Sequence, residues 1–461
     1  MGSKKPLKHQ SNSLLTKLLP WTFSILLPLL LIHLCFHPIP FLRSPSSKLH
    51  SNNNNAINND SASPPSRRTF PSSQLHAKNH VINNDSTSPS PSQDVNSSNA
   101  PTACDYSNGE WIRDKLGPLY NGTTCGTIKD GQNCMSHGRP DKDYLYWRWK
   151  PRQCKLPRFE PRTFLQYLSN KHLAFVGDSV ARNQLESLLC MITTVSSPKL
   201  VRSYGEDNKF RKWHFPSHNV TVSIFWSPFL VKGIEKSDEI DITRNYNKLY
   251  LDLVDEKWAG EIDHLDMIVL SVGHWFLHRA VYYYNGTILG CHYRSDQNCT
   301  EIGFYDVYGK AYQTAVNSII DRKRSSSCNA TDVFVTTFSP AHFEGEWDKF
   351  GACPKTKPYN ASEKKLEGMD AEMRNIGIKE VKAAREKSKK FGSLRFEYVD
   401  VSALSFLRAD GHPGPYLYPF PFANGIKDRV QNDCVHWCLP GPIDTWNEIL
   451  LEIMKRRETE V

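Results

Sequence analysis

A dense block of basic residues is missing from this sequence. Its 57 Lys and Arg exceed its 48 Asp and Glu by nine, but the surplus is spread over 461 residues. The electrostatic footprint of a DNA- or RNA-binding protein is therefore absent, and nucleic acid is not an expected partner. Charge of either sign is missing between Lys17 and Arg43. Within that gap Leu18 to Phe36 is almost wholly apolar, about the length of a bilayer-spanning helix. A small-x-small cleavage site is also missing, because Cys35-Phe36-His37-Pro38-Ile39-Pro40 is bulky, which favours an uncleaved anchor over a signal peptide. Cysteine is nearly missing from the first hundred residues: of twelve, only Cys35 lies there. The other eleven suit an oxidising compartment.

What is present orders these absences. Lys4, Lys5, Lys8 and Lys17 precede the apolar run and hold that side cytoplasmic, so the chain reads as a single-pass type II membrane protein. The expected layout is a cytoplasmic tail over 1–17, a transmembrane signal-anchor over 18–42 and a disordered stalk over 43–100. Ser, Asn and Pro dominate the stalk, and Ile57-Asn58-Asn59-Asp60-Ser61 returns as Ile82-Asn83-Asn84-Asp85-Ser86; such composition buries no core. Nine Asn-x-Ser/Thr sequons, at Asn59, Asn84, Asn96, Asn121, Asn219, Asn285, Asn298, Asn329 and Asn360, agree with a secretory route.

At 101–155 the character changes. Cys104, Cys125, Cys134 and Cys154 stand among Trp111, Tyr120, Tyr144, Tyr146, Trp147 and Trp149, the composition of a small disulfide-stapled subdomain. Core packing explains most of these rings, and a sugar-stacking surface is the alternative. Over 156–461 the apolar runs Leu173–Val176, Met267–Leu270, Val333–Val335 and Phe396–Val399 alternate with helical stretches at Val180–Met191, Tyr312–Arg322, Ser362–Ser388 and Ile443–Arg457. Short buried strands between helices predict an α/β fold, a three-layer α/β/α domain on a parallel sheet.

Three strands end in conspicuous residues: Gly177-Asp178-Ser179, Ser271-Val272-Gly273-His274-Trp275, and Thr337-Phe338-Ser339-Pro340 followed by His342. Ligands of open α/β sheets bind at the carboxyl ends of strands, so these segments are expected to share a cleft. Gly177 allows a tight strand-to-helix turn, which sets Ser179 at a helix N-terminus where backbone N–H groups stabilise an oxyanion. A serine needs a base, and the base needs a group to fix its tautomer. Asp433-Cys434-Val435-His436 offers both, with Nε2 left to take the Ser179 proton. The plainer reading makes Ser179 an N-cap, Asp178 a turn residue and His436 a packed loop residue.

The blocks Gly177-Asp178-Ser179-Val180-Ala181-Arg182-Asn183-Gln184-Leu185-Glu186-Ser187, Ser271-Val272-Gly273-His274-Trp275-Phe276, Thr337-Phe338-Ser339-Pro340-Ala341-His342-Phe343-Glu344-Gly345 and Asp433-Cys434-Val435-His436-Trp437-Cys438 resemble, in order, those of the plant trichome birefringence-like family. That family joins a cysteine-rich N-terminal domain to a PC-esterase domain of the GDSL/SGNH type. The resemblance implies a Golgi-membrane polysaccharide O-acetyltransferase with its catalytic domain in the lumen and Ser179, Asp433 and His436 as triad. It implies a polysaccharide acceptor, with xyloglucan favoured by the Cys291-His292-Tyr293 loop over xylan, mannan and pectin. The acetyl donor expected is acetyl-CoA, although no stretch forms a coenzyme A motif; no bound cofactor and no metal are expected. An acetylesterase using the same triad, or a non-catalytic glycan-binding or bridging protein, are the alternatives.

The Gly and Asn blocks that complete the oxyanion hole in SGNH proteins are not evident here. Arg182 and Asn183, three and four residues past Ser179, are the candidate donors, with Gly177, Asp178, His274 and Trp275 as further cleft residues. The resemblance also implies disulfides Cys104–Cys154, Cys125–Cys190, Cys134–Cys438 and Cys353–Cys434. Cys291 and Cys299 then close a local loop and Cys328 is left over. Zinc held by Cys434, His436 and Cys438 is the competing idea.

Overall fold

The computed structural model describes residues 104–205, 208–236, 246–293, 299–325 and 330–459. The expected tail, anchor and stalk lie outside them, as does Cys328. Among the described residues no helix is long and apolar enough to cross a membrane.

The chain opens with an antiparallel pair, β1 (Gly109–Arg113) and β2 (Trp147–Pro151). Helix α1 (Pro161–Tyr167), with proline in its first turn, leads to β3 (His172–Gly177) and helix α2 (Ser179–Thr193). Then follow β4 (Lys199–Tyr204), β5 (Phe210–Phe215), β6 (Val220–Trp226), β7 (Val231–Ile234), β8 (Asn247–Val254), β9 (Met267–Ser271), β10 (Ala280–Tyr284) and β11 (Thr287–His292). Helix α3 (Tyr305–Ser325), β12 (Thr331–Thr336), α4 (Gly368–Ser388), β13 (Leu394–Val399), α5 (Ser402–Phe406) and α6 (Asp444–Thr459) follow, with a one-turn helix at Glu256–Ala259 and short 3-10 turns in the connections.

The central sheet has seven strands in the order β13-β12-β9-β3-β6-β5-β4. The first five run parallel; β5 runs antiparallel to its neighbours β6 and β4, so the sheet is mixed where the sequence predicts a parallel one. Strand period two sorts its side chains. Leu173 and Phe175 of β3 face one core with α1, α2 and α6, whereas Ala174 and Val176 face the other with α3 and α4. Three layers result. A second sheet, β11-β10-β8-β7, adds Leu249, Leu251, Ala280 and Tyr282 to the α3/α4 core.

The Cys/aromatic-rich segment packs into the same body. Trp111 and Trp149 meet edge to face at 5.5 Å and both are buried, and the Trp111 indole N–H donates to Leu404 O at 2.9 Å. Tyr120 O–H donates to Asp444 of α6 at 2.8 Å. These rings are core. Only Tyr146 and the half-buried Trp147 keep solvent contact. Disulfides Cys104–Cys154, Cys125–Cys190, Cys134–Cys438, Cys353–Cys434 and Cys291–Cys299 tie the domain.

Candidate active site

The start of α2 is built by exclusion. Gly177 pairs with Ser271 across β3 and β9, and a Cβ on it would stand 1.8 Å from Ser271 O. No other residue type fits there. Asp178 caps the helix: Oδ1 accepts from Val180 N–H at 2.9 Å and Oδ2 from Gly273 N–H at 3.1 Å. Burial pushes its carboxyl up to about 6 despite those two donors. Ser179, half-buried, is the first residue of α2 and lies in the positive end of the helix field.

Asp433 organises the opposite half. Its Oδ1 accepts from the backbone N–H groups of Val435 (3.0 Å) and His436 (2.9 Å), and its Oδ2 accepts from His436 Nδ1 at 2.7 Å. Burial acts to raise its pKa, but the charge of His436 and these donors together hold the carboxyl far below its ordinary range. An ionised Asp433 fixes the proton on Nδ1, which leaves the Nε2 lone pair of His436 to act as base. That Nε2 is enclosed and has no hydrogen-bond partner, Ser179 included. Catalytic hydrogen bonds are commonly incomplete before substrate binds.

What brings the halves together is a side chain of α2. Asn183, one turn beyond Ser179, accepts from Trp437 N–H at 2.7 Å and donates to Trp437 O at 3.2 Å. The residue after His436 is thereby bound to the first turn of the serine helix. Asp178, the neighbour of Ser179, and His274 both lie within electrostatic range of the His436 ring. Two disulfides fix the same turn, Cys353–Cys434 inside it and Cys134–Cys438 just beyond.

The remaining expectations divide. Asn183 is fully buried with both amide ends engaged, the second N–H going to Gln132 Oε1 at 3.1 Å, so it is a clamp and not an oxyanion donor. Gly273 N–H is spent on Asp178. His274 donates from Nε2 to Ser339 O at 2.9 Å, and burial lowers its pKa to about 4, so it is a neutral ring that offers Nδ1 only as an acceptor. Trp275 is half-buried against Trp226 and Phe229. Arg182 lies over Trp226 at 5.1 Å. The zinc idea fails, because the sulfurs of Cys434 and Cys438 are both in disulfides. His342 is buried in the packing behind the base: its Nε2 donates to Phe406 O at 2.8 Å and its Nδ1 lies 2.7 Å from His412 Nε2.

Several supporting residues escape sequence reasoning. His412 stacks on Trp437 at 4.2 Å and sets Nδ1 2.6 Å from His436 O. Arg139 donates to His412 O at 2.9 Å and to Asp410 O at 2.6 Å, so the N-terminal segment braces the base. The Asp410-Gly411-His412-Pro413-Gly414-Pro415 punctuation was the available signal for a tight, built loop.

Residues 156–453 match the PC-esterase model, described as a GDSL/SGNH-like acyl-esterase family found in Pmr5 and Cas1p. The chain belongs to the PC-esterase family. Residues 102–155 match the PMR5 N-terminal domain. Among PC-esterase relatives, the chain is 57% identical over 448 residues to Xyloglucan O-acetyltransferase 1 of Populus trichocarpa, covering 97% of this chain and 95% of that one. It is 63% identical over 357 residues to Xyloglucan O-acetyltransferase 2 of the same organism, 77% and 83% of the two chains. Protein trichome birefringence-like 25 of Arabidopsis thaliana is 41% identical over 373 residues, covering 79% and 80%.

Proposed function

We propose that this chain is a xyloglucan O-acetyltransferase acting through an acetyl-serine intermediate. The observation that carries the chemistry is the 2.7 Å Asp433–His436 contact, with Nε2 unpartnered beside the helix that begins at Ser179. The acceptor class is supported by the xyloglucan O-acetyltransferases of Populus.

Ser179 Oγ attacks the acetyl carbonyl as His436 Nε2 takes its proton, and ionised Asp433 stabilises the resulting imidazolium. The tetrahedral oxyanion draws on the N-terminal backbone of α2 and on Arg182. Collapse expels the donor's leaving group, the coenzyme A thiolate if acetyl-CoA is the donor as in our reading, which collects the proton from His436. A xyloglucan hydroxyl then gives its proton to His436 and attacks the acetyl-serine; collapse of the second tetrahedral intermediate releases Ser179, whose Oγ takes that proton back from His436. Water at about 55 M competes for that ester, so transfer requires the acceptor in near-attack geometry, where effective molarities reach about 10⁵ M.

In this proposal residues 18–42 anchor the chain in the Golgi membrane with the catalytic domain in the lumen; the charge-free stretch after Lys17 supports it. The family description as acyl-esterases favours a second reading, hydrolytic removal of acetyl groups. Incubation with an acetyl donor and deacetylated xyloglucan oligomers separates the two. Transfer adds one acetyl mass per event to the oligomer and vanishes in Ser179→Ala; free acetate alone, with unmodified oligomer, sinks the transferase reading.

A further inference from the structure

Two loops beside the Asp433–His436 turn carry aromatic rings into solvent. Phe350 is 58% exposed and Phe420 61% exposed. Phe422 joins the two loops, its ring 5.5 Å from that of Phe350 and 6.0 Å from that of Tyr416. Isolated exposed rings need no explanation, but grouped ones do.

Both loops are fastened to the turn that holds the base. Cys353, three residues past Phe350, is bonded to Cys434. Gly414 and Asp433 exchange backbone hydrogen bonds at 2.8 and 3.0 Å. The buried Asn432 side-chain amide donates to Lys349 O and Val430 O at 2.8 and 2.5 Å and its backbone N–H to Trp347 O at 2.8 Å, which pins the first loop to the segment just ahead of Asp433. The ring-bearing loops are therefore rigid continuations of the catalytic turn.

Phe420 adds an independent observation. Its φ is +46°, in the left-handed region, where a bulky side chain is strained. One side of its ring lies against Gly138, where a Cβ would come within 2.7 Å of it. Glycine or asparagine would suit the backbone, and a polar residue would suit the exposure. Phenylalanine suits neither, so folding alone does not account for the ring.

We propose that Phe350 and Phe420 form a platform for the sugar units flanking the acetylated residue of the glycan chain. Pyranose rings present apolar C–H faces that stack on aromatic rings, and the surrounding Asp348–Arg429 pair and Gln431 offer hydrogen bonds to hydroxyls. A polymeric acceptor whose hydroxyl reaches His436 Nε2 must extend past the turn. Rings rigidly joined to that turn lie on its continuation. The inference rests on the acetyltransferase reading for the identity of the chain.

The test uses the full-length protein with Ser179→Ala, so that binding is read without turnover, and adds Phe350→Ala, Phe420→Gly or both. Affinity for deacetylated xyloglucan polymer is measured by affinity electrophoresis, together with the thermal midpoint. The platform predicts about a tenfold loss of affinity in the double variant. Phe420→Gly relieves the backbone and leaves the midpoint at or above that of Ser179→Ala. Polymer binding within twofold of Ser179→Ala overturns the platform, whatever chemistry Ser179 performs. A loss of self-association by light scattering with unchanged glycan affinity overturns it too, by making the patch a contact between copies. Ring-dependent glycan binding by a chain that transfers no acetyl group sinks only the transferase reading.

Discussion

Asn183 reads both backbone groups of Trp437, taking its N–H at 2.7 Å and capping its carbonyl at 3.2 Å. One amide thus couples the helix that starts with the serine to the loop that ends with the histidine. Asn183→Ala orphans a buried N–H and a carbonyl at once, which costs about 1–3 kcal/mol for each unsatisfied group. Chemical denaturation reads that loss, and kcat should fall further than the unfolded fraction explains. Asn183→Asp keeps the acceptor for Trp437 N–H and should restore part of the rate; equal rates for the two variants would contradict the clamp.

Asp433→Asn keeps the shape of the turn but no longer dictates the His436 tautomer. Transfer should fall by roughly 10³–10⁴ in kcat, the scale known for a triad aspartate. The thermal midpoint should change far less than the rate. A decrease under tenfold would leave Asp433 as a purely structural residue.

Gly177→Ala should be among the most damaging single-methyl additions in the chain. The new Cβ meets Ser271 O at 1.8 Å between two central strands, where neither backbone can yield without moving Ser179. Overpacking of this kind costs about 1–3 kcal/mol or more. Soluble yield and unfolding midpoint both report it, and a normal midpoint would show that β3 and β9 are looser than their register implies.

Glu448 on α6 gives a pH signature. Burial pushes its carboxyl up to about 7 from an ordinary 4.5, against the pull of Arg148, Phe159 N–H and Arg158. The folded chain therefore holds a proton that the unfolded chain releases near 4.5, and this group's contribution to stability falls as pH rises from about 4.5 to 7. Its partial exposure limits the size of the effect, not its sign. Glu448→Gln carries no such slope, so unfolding free energies measured at pH 5 and pH 8 should shift in the variant's favour at the higher pH. Parallel behaviour at both pH values would rule this out.

The disulfides flanking His436 predict a split between fold and rate. Replacing Cys353 and Cys434 together by serine frees the loop ahead of the base while leaving the sheet intact. Stability should drop by about 2–5 kcal/mol. Transfer measured well below the new midpoint should still be lower than in the parent, because Asp433 and His436 then sample geometries in which Nε2 misses Ser179. Full activity at low temperature would show that Asn183 and His412 suffice.

The parts legible in the sequence were those with a strong local signature. Three parallel strands, β3, β9 and β12, read directly as apolar runs because both their faces are covered, and the edge strand β13 read through its buried Phe396 and Val399. Helix α2 read well because Asp178 and Ser179 announce it; α3 begins at Tyr305, ahead of the expected Tyr312, and α4 begins at Gly368, later than Ser362. The antiparallel edge was illegible because all six residues of β4 are exposed and carry no pattern. The second sheet escaped for a similar reason: β11 is exposed over its first three residues. At the site, the Asp433–His436 spacing suggested its own geometry. Asn183 was misread because a helix face specifies direction but not partner, and its partner Trp437 lies 254 residues away. His412 could not be found by spacing at all, since stacking and a carbonyl contact define its part.

The Cys134–Cys438 bond joins residues 304 apart, so the staple behind the base closes only after nearly the whole chain has emerged. A polypeptide kept among reduced thiols would assemble its apolar layers and present Ser179 while the Asp433–His436 turn lacked both of its covalent moorings. Maturation is thus an oxidative event separable from collapse. Recombinant material from a reducing host should look folded by circular dichroism and remain sluggish until air or an isomerase completes it.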